Sequence, residues 1–185
     1  MDQRNSGDAE GRRTARTILA VDRNRASLHA LAHRLGQRGH FTVLADHGSE
    51  ALGLIAGRGF DLLLLDMAMP GLSALHVVRA LRATHDTADL PVILTMAAND
   101  RDAALTAFAA GADDCVVRGY DPVVLAARIE RALEQAAQIA NLKRRNLALD
   151  ARVAARAIEL GEARSELAAA VNDRLRLERA LESRV

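Results

Sequence analysis

Residues 60–71 read FDLLLLDMAMPG, and this stretch decides the fold. Four consecutive leucines, Leu62 to Leu65, show none of the in-out alternation of a half-exposed strand. They predict a strand covered on both faces, as in a parallel sheet. The run ends on Asp66, and Met67-Ala68-Met69-Pro70-Gly71 turns the chain off its tip. Working outward, TILAVD (17–22), FTVLA (41–45), PVILTM (91–96) and CVVR (115–118) are further short apolar runs. Helix-length segments separate them, over 25–39, 49–58, 73–84 and 101–110, with Gly39 and Gly111 placed to end helices. Five strands alternating with helices predict an α/β domain with a mostly parallel sheet.

The chain has 185 residues, half of them apolar and 26% charged, which suits one globular domain with an appendage. A formal charge of +1 supplies no field to recruit nucleic acid or an anionic membrane. Aromatics at 2% argue against a base-stacking platform. The single cysteine, Cys115, excludes a disulfide framework within the chain and a multi-thiolate zinc site. Residues 1–16 are polar and lack the apolar core of a secretory signal, and no apolar run approaches a membrane span. The expectation is a cytoplasmic protein with a disordered tail over 1–16 and the α/β domain over 17–137. Of 25 basic residues only Lys143 is a lysine, so chemistry that needs a lysine elsewhere is excluded.

In an open parallel sheet, ligands bind at the carboxyl ends of the strands. Asp22 and Asp66 close two of the predicted strands there. An aspartate at such a tip can accept a phosphoryl group as an acyl phosphate. A neighbouring acid can hold the Mg²⁺ that neutralises the phosphoryl oxygens. The same two acids would equally serve as simple caps.

The motifs ILAVD, FDLLLLDMAMPG, LPVIL and AGADDCVVRGYDPVVLAARI resemble the receiver domain of two-component response regulators over 17–137. The resemblance implies a doubly wound, five-stranded parallel sheet, Asp66 as phospho-acceptor, an acidic metal pocket of Asp22, Asp66 and the Ala68 carbonyl, and Mg²⁺ as cofactor. It also implies a sensor histidine kinase or phosphotransfer protein as partner. Four positions depart from the family. Arg23 replaces the second acid of the first strand tip, and Met96 stands where a Thr or Ser is usual. Cys115 replaces the aromatic switch residue, and Arg118 replaces the lysine, followed by Gly119 instead of proline. Strand alternation is expected to turn the adjacent Thr95 away from the site. An Arg23 side chain within about 4 Å of Asp66 would attract it by about 4 kcal/mol and weaken Mg²⁺ binding accordingly.

Beyond Asp121-Pro122, an N-cap and first-turn pair, the composition is helical to the last residue. Over 138–185 a heptad seam carries Ile139, Leu142, Leu149, Val153, Leu160, Ala163, Leu167, Ala170, Leu177 and Leu181. Asn146, Arg156, Arg174 and Arg184 interrupt it. A lone Asn146 at an a position sets register in parallel two-stranded coils. Contacts of Arg145 with Asp150 and of Glu159 with Arg164 favour that arrangement, while Asp173 against Glu178 opposes it. The expectation is a coiled-coil helix continuous with the last helix of the domain, forming a parallel homodimer.

These observations admit three functions: a phosphorelay receiver module, a phosphorylation-independent docking module of the same fold, or the amino-terminal regulatory part of a histidine kinase or cyclic-dinucleotide enzyme. No catalytic output motif lies within the chain, so no enzyme activity is expected of it. A basic zipper reading of Lys143, Arg144, Arg145 and Arg152 fails because those residues already lie inside the seam. His29 and His33 share a helix face at metal-pair spacing but lack a third ligand.

Overall fold

The computed structural model describes residues 15–182 except Pro70 and Asn99. The chain runs β1 (Thr17–Val21), α1 (Arg25–Gln37), β2 (Phe41–Ala45), α2 (Gly48–Gly57), β3 (Leu62–Asp66), α3 (Ala74–Ala83), β4 (Val92–Met96), α4 (Arg101–Ala110), β5 (Asp114–Val117) and α5 (Pro122–Glu182). The strands form one parallel sheet in the order β2-β1-β3-β4-β5, the doubly wound topology expected from the sequence.

All five residues of β3 are buried, as its unalternating leucines require. Leu63 and Leu65 join Leu19, Val21 and Leu94 on one face, packed against α2, α3 and α4. Leu62 and Leu64 join Ile18, Ala20 and Ile93 on the other, packed against α1 and the first turns of α5. With helices on both faces, the chain reverses its winding between β1 and β3, which opens a crevice at their carboxyl ends.

The helix starts follow from local chemistry. Asn24, Ser73 and Asp100 accept hydrogen bonds from backbone N–H groups three residues on, at 3.2, 3.2 and 2.9 Å. Asp121 accepts from the Val123 N–H at 2.7 Å ahead of Pro122 at the first position of α5. Gly111 ends α4 at φ +104, and a Cβ there would lie 2.9 Å from Arg82 Cγ. That close approach lets Arg82 donate to the carbonyls of Gly111, Ala88 and Leu90 and to Asp113 at 2.8–3.0 Å, pinning α3 to the segments that lead into β4 and β5.

The amino-terminal tail expected over 1–16 falls outside the described residues up to position 14. Its last residue departs from the expectation. Arg16 donates to Asp61 at 2.8 Å, and its backbone N–H reaches His40 Nδ1 at 3.3 Å. His40 is buried, and its Nε2 lies 3.1 Å from Glu130 on α5.

The chain divides into two compact units at Ala137–Gln138. The first holds the sheet. The second is helical, and every residue from Gln138 to Arg176 is exposed. No helix among the described residues is long and apolar enough to cross a membrane.

Candidate functional site

Backbone hydrogen bonds just past the strand ends fix the crevice. The Asp22 N–H donates to the Ala45 carbonyl at 3.2 Å, Met67 to Thr95 at 2.9 Å and Arg118 to Met96 at 2.6 Å. Asp22, Asp66 and Arg118 are thereby brought to the rim of one cavity of about 310 Å³, which Arg23, Ser27 and Tyr120 also line.

Asp66 is almost wholly buried, with 3% of its side chain exposed, so its carboxylate needs partners. Three donors converge on Oδ1: the Ala68 N–H at 3.1 Å, the Thr95 hydroxyl at 3.5 Å and Arg118 Nη2 in a short ion pair. Oδ2 receives no hydrogen bond from the described residues. Arg118 keeps 41% of its side chain exposed, so it spans from solvent to the buried acid.

Two expectations change here. Thr95 is not turned away. It pairs with Asp66 in the β3–β4 register and therefore shares its face of the sheet. Met96, buried and paired with Val117, is the residue the pleat turns to the other face. The cation on Asp66 is Arg118 rather than Arg23. Arg23 is exposed at the cavity rim and makes no ion pair among the described residues.

Asp22 is partly buried, and its Oδ1 accepts the Asn24 N–H at 2.9 Å. Cys115 is half-buried beside the core and pairs with Leu94, and burial foremost raises its thiol pKa above the ordinary 9.0, with Asp114 adding to the effect. Tyr120, which sequence reasoning passed over, stands against both acids. Burial first, then Asp22 and Asp66, raise its phenol above the usual 10.0. Its signal was its position two residues beyond Arg118, as the only tyrosine. Gly119 between them takes φ +86, a conformation open to glycine.

The donor set does not fit Mg²⁺ in its usual coordination. That ion takes six oxygens in near-octahedral geometry. Here Oδ1 of each acid is already engaged, Arg118 neutralises Asp66, and Arg23 stands on the cavity where a second acid of the first strand tip would add an oxygen. Among the described residues, the group whose ligand atoms all lie within 4.8 Å of one another is Asp46, His47 and Glu50, after β2 and outside this cavity. There His47 bonds Asp46 and lowers its pKa. His33 is bonded to Gln37 at 3.0 Å, and His29 is exposed, so the helix-face pair gathers no third ligand.

Residues 18–130 match the response regulator receiver domain. The chain is 38% identical over 118 residues to the response regulator MprA of Mycobacterium leprae (strain TN), covering 64% of this chain and 51% of the relative. It is 31% identical over 120 residues to the phosphate regulon transcriptional regulatory protein PhoB of Pseudomonas aeruginosa, covering 65% and 52%. The chain thus spans about half the length of the curated relatives it matches. Among solved structures, it is similar to a response regulator from Chloroflexus aurantiacus J-10-fl, with TM-score 0.62 and 28% identity over 65% of this chain and 98% of that one. The signal receiver domain of a histidine kinase from Syntrophus aciditrophicus matches with TM-score 0.62 and 29% identity, over 65% of this chain and 92% of that one. The chain belongs to the response regulator receiver family, the regulatory module of two-component phosphorelay signalling.

Proposed function

We propose that Asp66 is the phospho-acceptor of this receiver and that the signal leaves through a parallel homodimer formed by residues 138–185. The observation that carries the first part is the asymmetry of the Asp66 carboxylate. Oδ1 takes three donors, and Oδ2 is left as the nucleophilic oxygen on the cavity. The donor is a sensor histidine kinase or a phosphotransfer protein, and the Mg²⁺ affinity of Asp22, Asp66 and the Ala68 carbonyl is weakened by the missing acid at Arg23 and by Arg118 on Asp66. The divergent positions Arg23, Met96, Cys115 and Arg118 shape how this receiver switches. The second part is supported by the exposed Ile139, Leu142, Leu149, Val153, Leu160 and Leu167, which the seam places on one stripe.

One observation favours a second reading. The Arg118–Asp66 ion pair holds the acceptor in a neutralised state, which suits a docking module that needs no phosphorylation. The length of the relatives supports an output domain beyond these residues, as in a regulatory segment of a larger signalling protein. The test is the intact mass after incubation with acetyl phosphate and Mg²⁺. A single phosphoryl adduct that Asp66→Asn abolishes supports the first reading, and no adduct supports the second.

A further inference from the structure

The crevice is lined by two arginines and two aspartates; Arg118 is paired with Asp66, and Arg23 makes no ion pair among the described residues. The geometry points to phosphoryl transfer onto Asp66 that needs no divalent cation, with Arg118 and Arg23 supplying the positive charge. This rests on Asp66 being the acceptor.

The chemistry required of the site is charge neutralisation. In phosphoryl transfer, negative charge spreads over three equatorial oxygens, and catalysis consists mostly of positioning and electrostatics. A guanidinium carries a permanent charge and meets phosphoryl oxygens in bidentate fashion, which lets it do this work in a site where an arginine replaces one acid and another neutralises Asp66. Arg118 already lies on Oδ1 of the nucleophile, so it is within reach of a group attached to Oδ2. Its side chain is two-fifths exposed, so it opens on the solvent from which a phosphoryl group arrives. Arg23 lines the same cavity, with no ion pair to break before it turns inward.

With acetyl phosphate the step balances. Oδ2 of the Asp66 carboxylate forms a bond to phosphorus. The bond from phosphorus to the acyl oxygen breaks, and acetate leaves with its electron pair. Three negative charges enter as carboxylate and phosphate dianion, and three leave as aspartyl phosphate and acetate. No proton or metal is consumed.

The experiment is the intact mass of the full chain after incubation with acetyl phosphate in EDTA and, in parallel, in MgCl₂, for the wild type and for Arg23→Asp. The wild type is expected to reach the same adduct level in both within about twofold. Arg23→Asp, which removes a cation and restores a metal-binding oxygen pair, is expected to form at least about tenfold more adduct in MgCl₂ than in EDTA. A second readout does not depend on transfer. Tyr120 is the only tyrosine in a chain without tryptophan and lines the cavity. Millimolar MgCl₂ is expected to leave its fluorescence unchanged in the wild type and to change it saturably in Arg23→Asp. A wild-type adduct that forms only with MgCl₂, or a saturable wild-type response to MgCl₂, overturns the inference and leaves Asp66 as acceptor. No adduct in either buffer overturns both.

Discussion

Thr95 stands opposite Asp66 in the β3–β4 ladder and brings its hydroxyl to 3.5 Å from Asp66 Oδ1. In a parallel pair, residues in register point to the same face, so the contact follows from the pairing itself. The receiver therefore keeps a hydroxyl beside the proposed acceptor, one residue before Met96, where the family usually has Thr or Ser. That hydroxyl is placed to follow a change in charge on Asp66.

Replacing Thr95 with valine keeps the β-branched shape and removes only the hydroxyl. At 3.5 Å the bond is long, so a stability loss of about 1 kcal/mol is expected in urea denaturation. Met96→Leu is expected to leave adduct formation with acetyl phosphate unchanged, because Met96 does not face Asp66. A Thr95→Val protein as stable as the wild type would mean that the hydroxyl makes no bond worth counting.

Arg118→Ala leaves a buried carboxylate with two neutral donors, Ala68 N–H and Thr95, and no cation. Losing one partner of a fully buried pair is costly, but Arg118 is partly in solvent. The expected loss is therefore about 1–2 kcal/mol. In an Asp66→Asn background the same substitution should cost much less. Equal losses in the two backgrounds would show that Arg118 stabilises by packing alone.

Much of this could be read from residue order. Four leucines in a row, closed by the turn after Asp66, fit a short strand with both faces covered, and Asp121-Pro122 ahead of a long helical composition fits a helix start. Which side chains meet at the strand tips was less legible. The family resemblance puts Met96 where a Thr or Ser is usual, whereas inter-strand hydrogen bonds and the pleat put Thr95 on Asp66. Arg23 and Arg118 are equivalent as letters. Arg118 reaches the acid because its backbone is tied to Met96 at the end of β4, and Arg23 opens a loop. Arg16 looks like tail until Asp61 and His40 are seen to hold it, because its partners lie 45 and 24 residues away.

The phenol of Tyr120 offers a pH test that reads one residue. It is the only tyrosine and there is no tryptophan, so absorbance at alkaline pH reports it alone. Burial first, then Asp22 and Asp66, favours the neutral form, so its midpoint should lie above 10.0. Asp22→Asn should bring the midpoint down. The sign for stability follows. Above the unfolded value the unfolded chain has lost a proton that the folded chain retains, so stability falls as pH rises past about 10. A midpoint at the ordinary value in a protein still folded by circular dichroism would count against a tyrosine packed on the two acids.

The helical unit makes the last prediction. Its apolar stripe is exposed in the single chain, with Val153 and Leu167 each about two-thirds accessible. An amphipathic helix of this length is poorly stable alone, so a second copy is the occupant that the heptads fit. Arg156, at a d position, is tied to Glu159 on its own helix at 2.7 Å, which lets it lean out of the seam. Leu147 and Ile158 are also exposed and lie off the seam, so they do not enter the contact. Leu177, Leu181 and Arg184 fall outside the residues whose side chains are described. Light scattering on the full chain should give twice the mass of one chain, and Leu160→Glu with Leu167→Glu should halve it. Because those residues lie outside the receiver unit, the double variant should still accept a phosphoryl group. Asn146→Leu should keep or tighten association but relax its stoichiometry, since a buried asparagine penalises every register and oligomer in which it cannot meet its copy. A wild-type chain that is monomeric at tens of micromolar would rule out the coil as the route by which this receiver passes on its signal.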